Sequence, residues 1–198
     1  KHGVPFKSNI KEFNNKIYLI DSDNKIICFN ASNGEKIWDV LTISSFIKRP
    51  HTLPLSITKE GTLLALNSSA DLYKLDGNSG EIIWSSNTLG SLQADASDFF
   101  ISSDVVVSDN RIFFSSGKSF LAYNLENGGV VWETEVSSIA APIIIEDNIG
   151  ISSNYPWEIA PEYFSDTMDT TPVESEAGII KGEQYKSSLI SLLEVGAA

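Results

Sequence analysis

Few side chains in this sequence are placed to do chemistry. There are two histidines, His2 near the first residue and His51 in a polar connection, which is too little for a histidine-based triad or a zinc site. Cys28 is the single cysteine, so no internal disulfide is available, and its apolar neighbours predict a small buried side chain. Asp21-Ser22-Asp23-Asn24-Lys25 opens like a calcium loop. The sixth position, however, is Ile26 where that loop needs Gly, and no Glu stands at the twelfth, so the stretch reads as a turn. No Gly-x-Ser-x-Gly elbow, Gly-rich phosphate loop or Cys-x-x-Cys occurs. The 26 Asp and Glu residues show no spacing that singles out a catalytic pair. The expectation is a chain with no catalytic residues, no metal site and no cofactor.

Composition narrows the partners. A net charge of −12 argues against nucleic acid, whose phosphates require a basic footprint. With 42% hydrophobic and 10% aromatic residues, the 198-residue chain has the makings of a packed core. No run of about 18 apolar residues occurs, so no membrane-spanning helix is expected.

The elements that would position any site are repeats. Asp23 to Trp38, Asp71 to Trp84 and Lys118 to Trp132 each run from a strand-like stretch through a polar turn to a Gly, with a Trp four residues later. The pairs are Gly34 with Trp38, Gly80 with Trp84, and Gly128 with Trp132, and the tryptophans lie 46 and 48 residues apart. A fixed period of this size built from strands marks the blades of a β-propeller. The Gly supplies the positive φ of a tight hairpin. A Trp recurring once per repeat is placed to bury a large surface between neighbouring blades.

Strands are expected at 6–12, 16–20, 25–30 and 35–40 in a first blade spanning 4–40. A second blade, 53–85, holds strands near 53–58, 62–67, 71–75 and 81–85; a third spans 103–136, and 141–152 opens a fourth. Two long connections lie between blades, where propellers meet partners. Phe46, Lys48, Arg49 and His51 in the first, and Asp95, Asp98, Phe99 and Phe100 in the second, are the candidate partner-binding residues. From 153 to 198 the pattern stops: eight acidic residues face two lysines, and the segment reads as an acidic irregular tail. Within it, Tyr185, Leu189, Leu192 and Leu193 have the spacing of a short helix over 183–195.

The motif (Asn/Asp)-x-x-(Ser/Asn)-Gly-x-x-(Ile/Val)-Trp, as it stands at Asn30–Trp38, Asp76–Trp84 and Asn124–Trp132, resembles the repeat of pyrroloquinoline-quinone-type β-propellers over about 4–152. That family holds quinoprotein dehydrogenases and non-enzymatic propellers such as BamB, a lipoprotein of the outer-membrane β-barrel assembly machine. The fold implied is all-β: an incomplete propeller arc of four-stranded antiparallel blades, followed by a non-propeller C-terminal tail. Resemblance to the dehydrogenases would imply a bound quinone, calcium, a catalytic Asp and an adjacent Cys-Cys disulfide, against which this chain has only Cys28. The BamB-like reading implies a non-catalytic scaffold on the periplasmic face of the outer membrane. It would hold assembly machinery and barrel clients through protein contacts. A sensor or other binding propeller is the third reading. Closed propellers typically need four to eight blades, so three and a half imply a piece of a larger propeller, and opening at Lys1 without Met suits a trimmed boundary.

Overall fold

A computed structural model describes residues 3–43, 52–89, 102–136, 138–145, 148–152 and 189–192. The described residues are all-β, with no helix. The first sheet has β1 (Lys11–Phe13), β2 (Lys16–Ile20), β3 (Lys25–Asn30) and β4 (Lys36–Leu41). The second has β5 (Leu55–Ile57), β6 (Thr62–Leu66), β7 (Asp71–Asp76) and β8 (Ile82–Asn87). The third has β9 (Val106–Ser108), β10 (Arg111–Ser116), β11 (Ser119–Asn124) and β12 (Val130–Thr134), and the fourth has β13 (Ile143–Ile145), β14 (Asn148–Ser152) and β15 (Leu189–Leu192). Strands pair antiparallel in chain order within every sheet. The four sheets follow one another without closing, as an incomplete β-propeller.

The middle strands of the second and third blades are apolar on both faces because each of these sheets lies between two neighbours. In β6, Leu63 and Ala65 pack with Tyr18, Ile20, Ile26 and Cys28 of the first sheet. The alternate residues Leu64 and Leu66 pack with Ile112, Phe114 and Tyr123 of the third. Ile149 and Ile151 of β14 close on Phe113, Phe120 and Ala122 in the same way. Alternation along a strand therefore feeds two cores instead of one core and solvent.

Two expectations change. The first strand is Lys11–Phe13, shorter than 6–12, because Phe6 and Ser8 form isolated bridges to Asp21 and to Leu53. The Leu53 N–H donates to the Lys7 carbonyl at 2.7 Å, so this stretch ties the first sheet to the second. The helix expected over 183–195 is also not what its described part forms: Leu189–Leu192 is a strand paired to β14 from Ile149↔Leu192 to Ser152↔Leu189. The unpaired backbone along β14 provides hydrogen-bond partners that a short isolated helix lacks.

Candidate interaction surface

Each of the three four-stranded blades carries the same turn between its third and fourth strands, and side-chain acceptors fix its shape. Asn30 Oδ1 accepts from the N–H groups of Ser32 and Asn33, Asp76 Oδ1 from those of Asn78 and Ser79, and Asn124 Oδ1 from those of Glu126 and Asn127. The residue before the Gly repeats the device. Asn33 Oδ1, Ser79 Oγ and Asn127 Oδ1 accept from the backbone N–H of Glu35, Glu81 and Gly129. These local acceptors explain why Asn, Asp and Ser recur in the motif. The glycines stand at φ of +73° (Gly34), +77° (Gly80) and +68° (Gly128), a conformation that strains any side chain.

The turn is also a seat for the tryptophan of the preceding blade. A Cβ added to Gly80 would lie 2.8 Å from Cδ2 and Cε3 of Trp38, and one on Gly128 would lie 2.7 Å from Cε3 of Trp84. The indole N–H of Trp38 donates to the Gly77 carbonyl at 3.2 Å, and that of Trp84 to the Leu125 carbonyl at 3.1 Å. Gly is thus required twice over, for its φ and for the ring that lies on it. The acceptor carbonyls gain a second donor each, Tyr18 Oη at 3.1 Å and Lys74 Nζ at 2.9 Å. Trp132 lies between Phe113 and Phe120, and among the described residues its buried Nε1 has no partner. So the structure brings Trp38 to Gly80 and Trp84 to Gly128, across blades and not within one repeat.

A second stitch joins neighbouring blades at the hairpins between their second and third strands. Asn24 Nδ2 donates to Ser68 Oγ at 2.7 Å and the Ser68 N–H returns to Asn24 Oδ1 at 3.1 Å. One blade later the contact comes from just beyond the outer strand β8, where Thr88 Oγ1 lies 2.7 Å from Ser116 Oγ.

The outer strands present a feature that alternation alone hides. In all three complete blades the pairing slips by one residue just before the Trp, so that Cys28 faces Trp38 while Phe29 faces Lys36, and likewise at Lys74/Leu75 and Ala122/Tyr123. The extra residues are Ile37, Ile83 and Val131, and they are 44%, 52% and 44% exposed. A bulge of this kind turns the following Trp toward the neighbouring sheet and leaves the bulged residue unpaired. Their sequence signal is the apolar residue directly ahead of each Trp, Ile37, Ile83 and Val131, which breaks the period of two. Near this row on β4, Asp39 pairs with Lys36 and, at 3.4 Å, with Lys25; the Lys36 contact holds its carboxyl below the usual range.

Candidate chemistry stays sparse. Asp21 Oδ1 accepts from the N–H groups of Asp23 and Lys25, a self-capped turn as expected. Burial pushes the Cys28 thiol up to about 11 and the Tyr18 phenol up to about 12, keeping both protonated. Among the described residues no cluster of three or more His, Cys, Asp or Glu residues can hold a metal, and no helix is long and apolar enough to cross a membrane. Phe46, Lys48, Arg49, His51, Asp95, Asp98, Phe99 and Phe100 lie outside the described residues.

Comparison with known proteins agrees with this architecture. Among curated proteins none matches the sequence. BamB from Moraxella catarrhalis is similar in structure, with a TM-score of 0.58 and 14% identity over 75% of this chain and 47% of that one. The quinohemoprotein alcohol dehydrogenase ADHIIG from Pseudomonas putida HK5 scores 0.62 at 13% identity, over 74% of this chain and 28% of its own. A computationally designed protein, Ika4, scores 0.58 at 9% identity over 78% and 88% of the two chains. At such identities these neighbours show the fold, and this chain spans less than half of the BamB and dehydrogenase structures. The family model described as outer membrane protein assembly factor BamB matches residues 5–162, most of the chain, and to that family this protein belongs.

Proposed function

We propose that this chain is part of a non-catalytic propeller scaffold that supports assembly and insertion of β-barrel proteins into the outer membrane, working by protein–protein contact from the periplasmic side. The observation that carries this reading is the row formed by Ile37, Ile83 and Val131, an exposed β-branched residue at the same bulge in three successive blades. A regularly spaced apolar row suits extended, still unfolded strands, which offer apolar side chains at repeating intervals and need no unique sequence to bind. Beyond each bulge the outer strand continues as a sheet edge whose backbone groups can pair with a client strand. The candidate residues of the two long connections remain part of the proposal as rim contacts.

The test measures affinity for a urea-unfolded outer-membrane β-barrel protein diluted into buffer. Changing Ile37, Ile83 and Val131 together to Lys should weaken binding by roughly 10-fold or more, while circular dichroism and the melting temperature hold, since the three sites are exposed. Unchanged affinity would remove the row from the reading. Titration with pyrroloquinoline quinone and calcium separates the enzyme alternative: saturable binding would replace the scaffold by a dehydrogenase fragment.

A further inference from the structure

The residue after each tryptophan lies on the outer edge of its blade, and of Asp39, Ser85 and Glu133 one is uncharged. Antiparallel pairing alternates residues that bond to the neighbouring strand with residues that face away from it. In the second blade the Thr88 N–H donates to the Ala70 carbonyl at 2.9 Å, which turns Ser86 and Trp84 toward β7 and leaves Ser85 and Asn87 facing outward. The first blade keeps the same phase. Its Thr42 N–H donates to the Asn24 carbonyl at 3.3 Å, so Asp39 and Leu41 face outward. Glu133, next to Trp132, holds the equivalent place in the third. All three residues are exposed.

Natural sheet edges are guarded against added strands by charged side chains. On β4, Asp39 gathers Lys36 and Lys25 around it, and on β12 the Glu133 carboxylate accepts from Ser119 Oγ. Strand β8, Ile82–Asn87, has neither a charged residue nor a proline. Tyr123 Oη donates to the Asn87 carbonyl at 3.4 Å. Among the described residues, the groups left for pairing are thus the Ser85 N–H and carbonyl and the Asn87 N–H.

We propose that the outer edge of β8 is the strand-addition site of this molecule, and that its occupant is an extended, uncharged segment of an unfolded polypeptide. The inference rests on the scaffold reading and narrows it: one edge of three takes the client strand, and Asp39 and Glu133 keep it off the other two. Backbone pairing asks only that the client be extended and bring no charge to the contact. A strand added at β4 or β12 would instead desolvate the ion cluster of Asp39 or the carboxylate of Glu133. A net charge of −12 sets copies of this chain against one another, which favours a client over a second copy.

The probe is a urea-unfolded outer-membrane β-barrel protein diluted onto the whole chain, with affinity and residue-level amide exchange as readouts. Slow exchange should appear at Ser85 and Asn87 on binding, and not at Asp39 or Glu133. Ser85→Pro removes an outward N–H without breaking a bond to β7, and should weaken binding roughly 2- to 10-fold, the effect of one hydrogen bond. Ser85→Asp keeps that N–H and installs the guard of the other blades. It should weaken binding too, which separates edge pairing from any loss of fold caused by proline. Glu133→Pro should bind as the parent does. Suppose the parent binds, the triple Lys variant of Ile37, Ile83 and Val131 binds weakly, and both Ser85 variants keep full affinity: the inference falls and the scaffold reading stands. Protection spread evenly over the three edges would do the same. A parent that does not bind the unfolded protein would remove both. A dimer with Ser85 and Asn87 protected before any client is added would give the edge to a second copy and overturn the proposal.

Discussion

A glycine in this repeat meets two separate demands, and the three copies allow them to be told apart. Gly34, Gly80 and Gly128 share a positive φ near 70°, so replacing any of them by Ala carries the same backbone strain, about 1 kcal/mol. Among the described residues only Gly80 and Gly128 also lie under an indole ring, at distances of 2.8 and 2.7 Å that no real Cβ adopts. Ala at either must push Trp38 or Trp84 off its seat and stretch the indole bond to Gly77 or Leu125, adding roughly 1–3 kcal/mol. Urea denaturation of the three variants should therefore rank Gly34→Ala as the mildest, with Gly80→Ala and Gly128→Ala costing about 2–4 kcal/mol in all. Equal losses at the three positions would mean that the ring contact contributes nothing beyond the turn.

The turn that holds these glycines is an element whose charge differs between blades, and that difference predicts a pH dependence. Asp76 stands where the other blades have Asn30 and Asn124, and the N–H of Ser79 is the chief reason its carboxyl is held below the ordinary aspartate range. A carboxylate with a lowered folded value stabilises the protein at pH above the unfolded value, about 3.9, and that contribution is lost as pH falls through the folded value. Asp76→Asn keeps an acceptor oxygen and removes the charge. Stability of the variant should fall less between pH 6 and pH 3 than that of the parent, as read by denaturant midpoints; parallel curves would exclude Asp76 as a source of acid sensitivity. Such turns were legible from sequence because Asn, Asp, Ser and Gly act on backbone within four residues of themselves. The middle strands were equally legible: 16–20 and 25–30 coincide with β2 and β3, since runs apolar on both faces leave little choice. The outer strand was less so. Its bulge depends on a neighbouring sheet that draws Trp38, Trp84 and Trp132 to one side, and Ile82-Ile83 or Val130-Val131 ahead of a Trp hint at it only once the sheets are known. Tyr185, Leu189, Leu192 and Leu193 keep helical spacing, yet Leu189–Leu192 answers the open edge of β14, a partner nearly 40 residues away in the chain. The seat pairing of Trp38 with Gly80 has the same non-local origin: the motif displays both residues, but not that the tryptophan of one copy serves the glycine of the next.

At the scale of the molecule the sheets stack in chain order, each packing against the one before and the one after, so stability should build up from neighbour contacts as in repeat proteins. The second sheet is covered on both faces, with Leu63, Leu64, Leu66, Leu72 and Leu75 fully buried. The third is also held between two cores, whereas the first and fourth each contribute to one among the described residues. Local opening follows such differences in burial. Native-state hydrogen exchange should find the amides of β6, β7, β10 and β11 slowest, those of β2 and β3 faster, and those of β13 and β14 fastest. Gly80→Ala should erase much of the protection in β2 and β3 while sparing β10 and β11, because it loosens the seat that joins the first blade to the second. A single exchange rate shared by all four sheets, and shifted uniformly by Gly80→Ala, would instead mean that the seats and the hairpin stitches couple the blades into one cooperative unit that opens only as a whole.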